Sequence, residues 1–310
     1  MNHVLGFPLH TLAFCKNSIT RGALLERHLW SGRLPPEAIW ETDHGVQVAS
    51  PLFTLLTLAP YVSETQLLMM AYEMCGTFAV FRPSDLIEKS LKDAYASHQL
   101  PGDFGWKRSA NQKGEATDLW QRPPLIQIDD LLDYAESNRS RRGGKKLLNA
   151  ARQVRGVTAS PFEVQASMLF GLSRRLGGEG LLHFENNYEI ALDQKAKKIV
   201  NKDKVYADLH FVSAEGDRSV IVECQGATEH GKVDAGIRDA DRATALQSMG
   251  YDVILLTYEK MSDKDSFRTV AEMLANKLGY PYRPKTDAMK AREDELRREL
   301  LIDWATLGEF

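Results

Sequence analysis

Glu223 and Gln225 close the stretch "RSVIVECQG" two residues apart, directly after the apolar run Val220-Ile221-Val222. Along a strand, alternation puts both on one face and Val222 and Cys224 on the other. Asp208 stands in the preceding strand-like stretch "KVYADLHFV", on the face expected for Tyr206 and His210. Closing the hairpin with a two-residue turn at Glu215-Gly216 sets Asp208 opposite Glu223. Two carboxylates facing each other across a ladder repel, and burying them together raises at least one pKa. A divalent cation between them removes the conflict. Hard oxygen donors suit Mg²⁺ or Mn²⁺, which keep several waters and activate one as a nucleophile. The competing reading leaves both acids in solvent on an edge hairpin, with Arg218 or Lys204 as partner, and periodicity alone keeps both open.

A third acid, Glu163, sits in Ser160-Pro161-Phe162-Glu163. That is a capping box, in which the Glu side chain folds back on the N-cap amide, and the cap accounts for the residue by itself. His230 follows Gln225 by five residues in a loop. It has the pKa range of an acid or base near neutrality, and equally that of a solvated loop histidine.

These residues need a sheet and helices to hold them. "SPFEVQASMLFGLSRRLGG" reads as a helix with Ser160 as N-cap, Pro161 at its first position and an apolar stripe at Val164, Met168, Leu172 and Leu176. "NYEIAL", "KVYADLHFV" and "RSVIVECQG" alternate as strands, "DAGIRDADRATALQSMG" is a helix stopped by Gly250, and "YDVILLTY" is a buried strand. The order is helix, three strands, helix, strand.

Residues 1 to about 95 read as mixed α/β, with a short strand in "GVQVAS", a helix "PLFTLLTLA" opened by Ser50-Pro51, and a helix "ETQLLMMAYEMC" stopped by Gly76. The stretch from Ser97 to Pro124 is rich in Gly and Pro without a period and reads as a long loop anchored by Trp106 and Trp120. A short acidic helix, "IDDLLDYAES", and a basic one, "KKLLNAARQV", flank Gly143-Gly144. The expected organisation is an N-terminal mixed α/β domain over 1–143, a second α/β domain over 144–283 and a charged helix over 284–310.

At 310 residues and 43% hydrophobic, the chain has material for an ordinary core, which excludes a disordered or fibrous protein. "QLLMMAYEMCGTFAVF", interrupted by Glu73 and Gly76, is too short to span a membrane, and "MNHVLGFPLH" lacks a signal-peptide layout. Cysteines at 15, 75 and 224 have neither metal-ligand spacing nor an even count, which fits reduced thiols in the cytoplasm. A net charge of -3 argues against a uniformly basic surface, but the cations are clustered. Arg139, Arg141, Arg142, Lys145, Lys146, Arg152 and Arg155 stand in one acid-free run, and Lys195, Lys197, Lys198, Lys202 and Lys204 in a second cluster. Each is a phosphate-contact candidate, or else a solvated linker and an exposed hairpin.

The sequence of Ser-Pro-x-Glu on a helix, a strand "YADLHF", a strand "IVECQG" followed by a histidine, a helix bearing Arg238 and Arg242, and "GYDVILLT" resembles the PD-(D/E)XK nuclease superfamily. Over about residues 156 to 280 it is most similar to bacterial endonuclease-like proteins related to very-short-patch-repair endonucleases. The resemblance implies a restriction-endonuclease-like αβββαβ core with a mixed sheet and hydrolysis of DNA phosphodiester bonds with Mg²⁺ or Mn²⁺. It gives metal binding to Asp208 and Glu223, a second ion or a metal-bound water to Glu163, and orientation of the nucleophile to Gln225. Most of the family carries Lys where this chain has Gln225, and a neutral amide orients water without offsetting negative charge. Arg141, Arg142, Lys145, Lys146 and Arg152 would grip the DNA backbone. Two alternatives stand beside the nuclease: a non-catalytic DNA-binding or regulatory protein on the same fold, and a toxin–antitoxin-type interaction protein with a partner at the N-terminal half. The latter rests on a short likeness of "VASPLFTLLTLA" to abortive-infection antitoxin-like proteins.

Overall fold

The computed structural model describes residues 9–15, 22, 25–42, 45–97, 105–111, 113–225 and 233–308, with backbone alone at Tyr95 and over 233–240. The chain is mixed α/β. Two short ribbons come first: β1 (Leu9–Ala13) pairs in parallel with β2 (Leu25–Leu29), and β3 (Ile39–Glu41) pairs antiparallel with β4 (Gln47–Ala49). Ser50 and Pro51 open α1 (Pro51–Leu58) as expected, the Ser50 hydroxyl accepting from the Phe53 amide. A Ser63–Gln66 capping box opens α2 (Glu64–Cys75), and Gly76 ends it.

The expected loop over 97–124 is corrected. After β5 (Phe78–Val80) and α3 (Asp85–Ala96), β6 (Lys107–Ala110) and β7 (Ala116–Gln121) form a hairpin, and β7 also pairs with β5. Asn111 Oδ1 accepts the amides of Lys113 and Glu115, and Gly114 takes φ 80°, so the polar residues that read as loop build the turn. The two tryptophans meet edge to face, with Arg108 over Trp120 and Arg122 over Trp106, which makes them anchors of this small sheet.

Next come α4 (Ile128–Ser137) and α5 (Gly144–Ala151). The glycine pair between them is a tight corner inside the core, not a linker. A Cβ on Gly143 would lie 2.8 Å from Pro60 Cδ, and one on Gly144 would lie 2.0 Å from the Asn138 carbonyl oxygen. Leu147 and Leu148 of α5 share one continuous buried core with Leu67 and Tyr72 of α2 and with Phe170 of the helix that follows. The packing therefore runs unbroken across the expected boundary at residue 143.

The C-terminal half keeps the expected element order with one insertion. It runs α6 (Pro161–Gly171), β8 (Phe184–Ala191), α7 (Gln194–Val200), β9 (Lys204–Val212), β10 (Ser219–Gln225), α8 (Val233–Ser248) and β11 (Asp252–Thr257). α6 stops at Gly171, so Leu176 falls in a separate short turn, not on the helix stripe. The second basic cluster begins on α7, capped by Asp193 and ended by Asn201 at φ 51°. The sheet order is β11-β10-β9-β8, parallel between β10 and β11 and antiparallel elsewhere. The large core, which includes α6 and Leu209, Phe211, Val220 and Val222, covers one face. On the other, Val205, Ala207 and Ile221 pack with Ala196 of α7 and with Ala245 and Leu246 of α8. α9 (Tyr258–Ser262), α10 (Lys264–Lys277) and the charged α11 (Asp287–Leu300) complete the chain. Among the described residues, no helix is long and apolar enough to cross a membrane.

Candidate active site

The β9–β10 register is the one expected, with Val222 opposite Leu209 and Ile221 opposite His210. The ladder ends at that Val222–Leu209 couple, and continuing its register one step would set Asp208 against Glu223. There the Asp208 carboxylate accepts the Cys224 amide at 2.7 Å, taking a donor that a β9 carbonyl would otherwise satisfy. Glu223 points toward α8, where Arg242 forms an ion pair with it; the Glu223 side chain is only 3% exposed and that of Arg242 29%.

Glu163 lies at the first turn of α6 and folds back as a cap, but one residue further than the capping box expects. Its carboxylate accepts the Ala159 amide at 2.7 Å and the Ser160 hydroxyl at 2.8 Å, and its own amide donates to the Ser160 oxygen. It still belongs to the same neighbourhood. Burial raises the Cys224 thiol well above its ordinary pKa, and the negative charges of Asp208, Glu163 and Glu223 push it further in the same direction. Arg242 opposes them. The thiol itself packs in the core as a small apolar group.

Gln225 is half-buried at the end of β10, opposite Thr257. His230 lies outside the described residues. The expectation that Tyr206 and His210 share a face is corrected. Tyr206 neighbours Val205 and Ala207, which point to the α8 face, so it points the other way. His210 is opposite Ile221 and stacks on Tyr188 at 4.2 Å, on the α8 face. Strict alternation along β9 fails at Asp208.

The basic run is largely committed to packing. Arg141 donates to the Arg33 carbonyl and covers Trp30, Arg142 lies over Tyr61, Lys146 donates to the Val62 carbonyl, and Arg152 pairs with Glu136 at 3.2 Å. Lys145 is exposed. Arg242, on α8 directly after the strand of Glu223, carries no local signal of that pairing in the sequence.

Asp208 and Glu223 are hard oxygen donors of the kind Mg²⁺ or Mn²⁺ takes from a protein. Among the described residues, no group of three His, Cys, Asp or Glu side chains is spaced to hold a metal. The donor set therefore fits a two-carboxylate site, with Arg242 as the competing cation. No protein family, no curated protein and no solved structure matches this chain.

Proposed function

We propose that the protein is a metal-dependent DNA endonuclease built on a restriction-endonuclease-like core. The observation that carries this reading is Asp208, bonded to the Cys224 amide, next to the buried Glu223 where the β9–β10 ladder ends. Asp208 and Glu223 would hold a Mg²⁺ or Mn²⁺ ion, which when bound supplies charge neutralisation at the scissile phosphate and a more acidic water. The Cys224 amide fixes the orientation of the Asp208 carboxylate by occupying one of its oxygens. Gln225 orients the nucleophile through its amide dipole, without the charge a lysine would add. Arg242 pairs with the buried Glu223 and would give way to a cation that binds there. Lys145 and the neighbouring cations supply phosphate contacts.

A second reading has an observation of its own. Arg242 already satisfies the charge of Glu223, so the same fold serves as a non-catalytic DNA-binding or regulatory protein if that pair never opens. An interaction partner at the N-terminal half is compatible with either. The test is cleavage of plasmid and single-stranded DNA in Mg²⁺, Mn²⁺ and EDTA by wild type, Asp208→Asn and Glu223→Gln. Cleavage that needs the ion and both acids supports the nuclease; DNA binding without cleavage in either ion supports the regulatory reading.

A further inference from the structure

Asn187 is one of three described non-glycine residues with positive φ, at 54°, and it lies in the middle of β8. Strands do not accommodate a left-handed residue without consequence. On one side of it, Asn186 is buried toward α6, its side-chain nitrogen donating to the Ser167 hydroxyl at 3.0 Å. On the other, Tyr188 stacks on His210 on the α8 face. In a regular strand residues 186 and 188 share a face, so the pleat inverts at Asn187.

The neighbouring strand inverts at the matching place. Asn186 pairs with Leu209 and Tyr188 with Ala207 in one unshifted register, while the intervening couple, Asn187 and Asp208, drops out of the ladder. Leu209 packs in the large core and Ala207 in the small one. Asp208 is therefore the inversion point of β9. Freed from the β8 ladder, its carboxylate turns across to β10 and takes the Cys224 amide.

We infer that Asn187 is the positioning residue of the carboxylate site: its left-handed backbone inverts the pleat and thereby aims Asp208 at the end of β10. The tie between Asn186 and α6 makes the inversion obligatory. Besides its bond to Ser167, whose hydroxyl also meets Tyr72, the Asn186 backbone N–H donates to the Arg155 carbonyl at 2.8 Å, and Gly156 lies close against its backbone. Asn187 itself is exposed, and among the described residues its side chain makes no hydrogen bond, so what it contributes is backbone conformation. Asparagine tolerates the left-handed region, glycine adopts it freely, and a β-branched residue there is a genuine outlier.

The aim of Asp208 at Cys224 does not depend on the nuclease reading, but its purpose does, and two readouts separate them. Cysteine-selective ¹⁵N labelling gives one amide signal for each of the three cysteines, at 15, 75 and 224. Cys224 is identified by its change in Asp208→Asn, and Cys75, buried at the end of α2, reports intact folding. In wild type and Asn187→Gly the Cys224 amide is expected downfield and slow to exchange. In Asn187→Val it should move upfield and exchange at least about tenfold faster while the Cys75 signal stays in place, and Mn²⁺ affinity should fall by about 10- to 100-fold. If Asn187→Val shifts the Cys75 signal, Asn187→Ala takes its place with the same expectation in weaker form. A Cys224 amide unchanged in a folded Val or Ala variant overturns the inference. Loss of the Cys224 signature in a protein whose wild type binds no Mn²⁺ upholds the role of Asn187 and removes the metal reading.

Discussion

Arg242 reaches from α8 to pair with Glu223, a carboxylate whose side chain is only 3% exposed. Arg242→Met removes the guanidinium from this buried carboxylate and should lower stability without divalent ions, by up to about 3 kcal/mol. A cation at Glu223 replaces the lost counter-charge. Urea unfolding with and without Mn²⁺ should show a larger stabilisation by the ion in Arg242→Met than in wild type. Equal stability of the two proteins in EDTA would show that the pair carries no such weight.

Glu163 spends both carboxylate oxygens on the start of α6, accepting from Ala159 and Ser160. Glu163→Ala should cost about 1 kcal/mol of stability, as loss of a helix cap does, and Glu163→Gln should recover most of it. Isothermal titration with Mn²⁺ should find Glu163→Gln weakened less than tenfold, well short of Asp208→Asn. A loss in Glu163→Gln as large as that in Asp208→Asn would make Glu163 a ligand.

Lys145 is exposed, whereas Arg141, Arg142 and Lys146 also hold neighbouring rings and carbonyls. Lys145→Ala should therefore reduce the salt dependence of duplex binding, by about 0.9 in the log–log slope if it makes one contact, with no loss of thermal stability. Neutralising all four should lower stability as well. An unchanged slope in both variants would place DNA elsewhere.

Glu73 accepts the Trp304 indole N–H at 2.7 Å and the Val80 amide at 3.2 Å, yet burial still raises its pKa above the usual carboxylate value. The folded chain then binds that proton more tightly than the unfolded one. The resulting stability is fully present below the unfolded pKa of about 4.3 and is lost as pH rises through the raised folded value. Glu73→Gln keeps one acceptor but not the titration, so its deficit against wild type should be larger at about pH 4.5 than at about pH 7.5 in denaturant unfolding. A deficit independent of pH would contradict the assigned direction.

Much of the C-terminal half was legible because its signals are local. Ser160-Pro161 fixes the start of α6, the extent of β9 matches "KVYADLHFV", and the β9–β10 register is the expected one although Ser213 and Arg218 close a four-residue loop instead of the expected two-residue turn. Other features depend on partners far along the chain. Asn187 reads as an ordinary polar strand residue, and only the ties of Asn186 to Ser167 and of Tyr188 to His210 reveal the inversion. The β6–β7 hairpin is polar enough to pass for loop until its pairing with β5 is seen. Gly143-Gly144 looks like a linker because sequence shows flexibility, whereas the structure uses the missing Cβ atoms for close contact with Pro60 and Asn138. The register that sets Asp208 and Glu223 at the end of the β9–β10 ladder was legible; the pairing of Arg242 with Glu223 was not.

The central claim is that Asp208 and Glu223 share a divalent cation, and Mn²⁺ in crystals of the wild-type protein tests it most directly. Anomalous difference density between the two carboxylates, with Arg242 withdrawn from Glu223 and about 2.0–2.2 Å from ion to oxygen, is the predicted result. Crystals saturated with Mn²⁺ that show no anomalous peak there, and Arg242 still paired with Glu223, would contradict it.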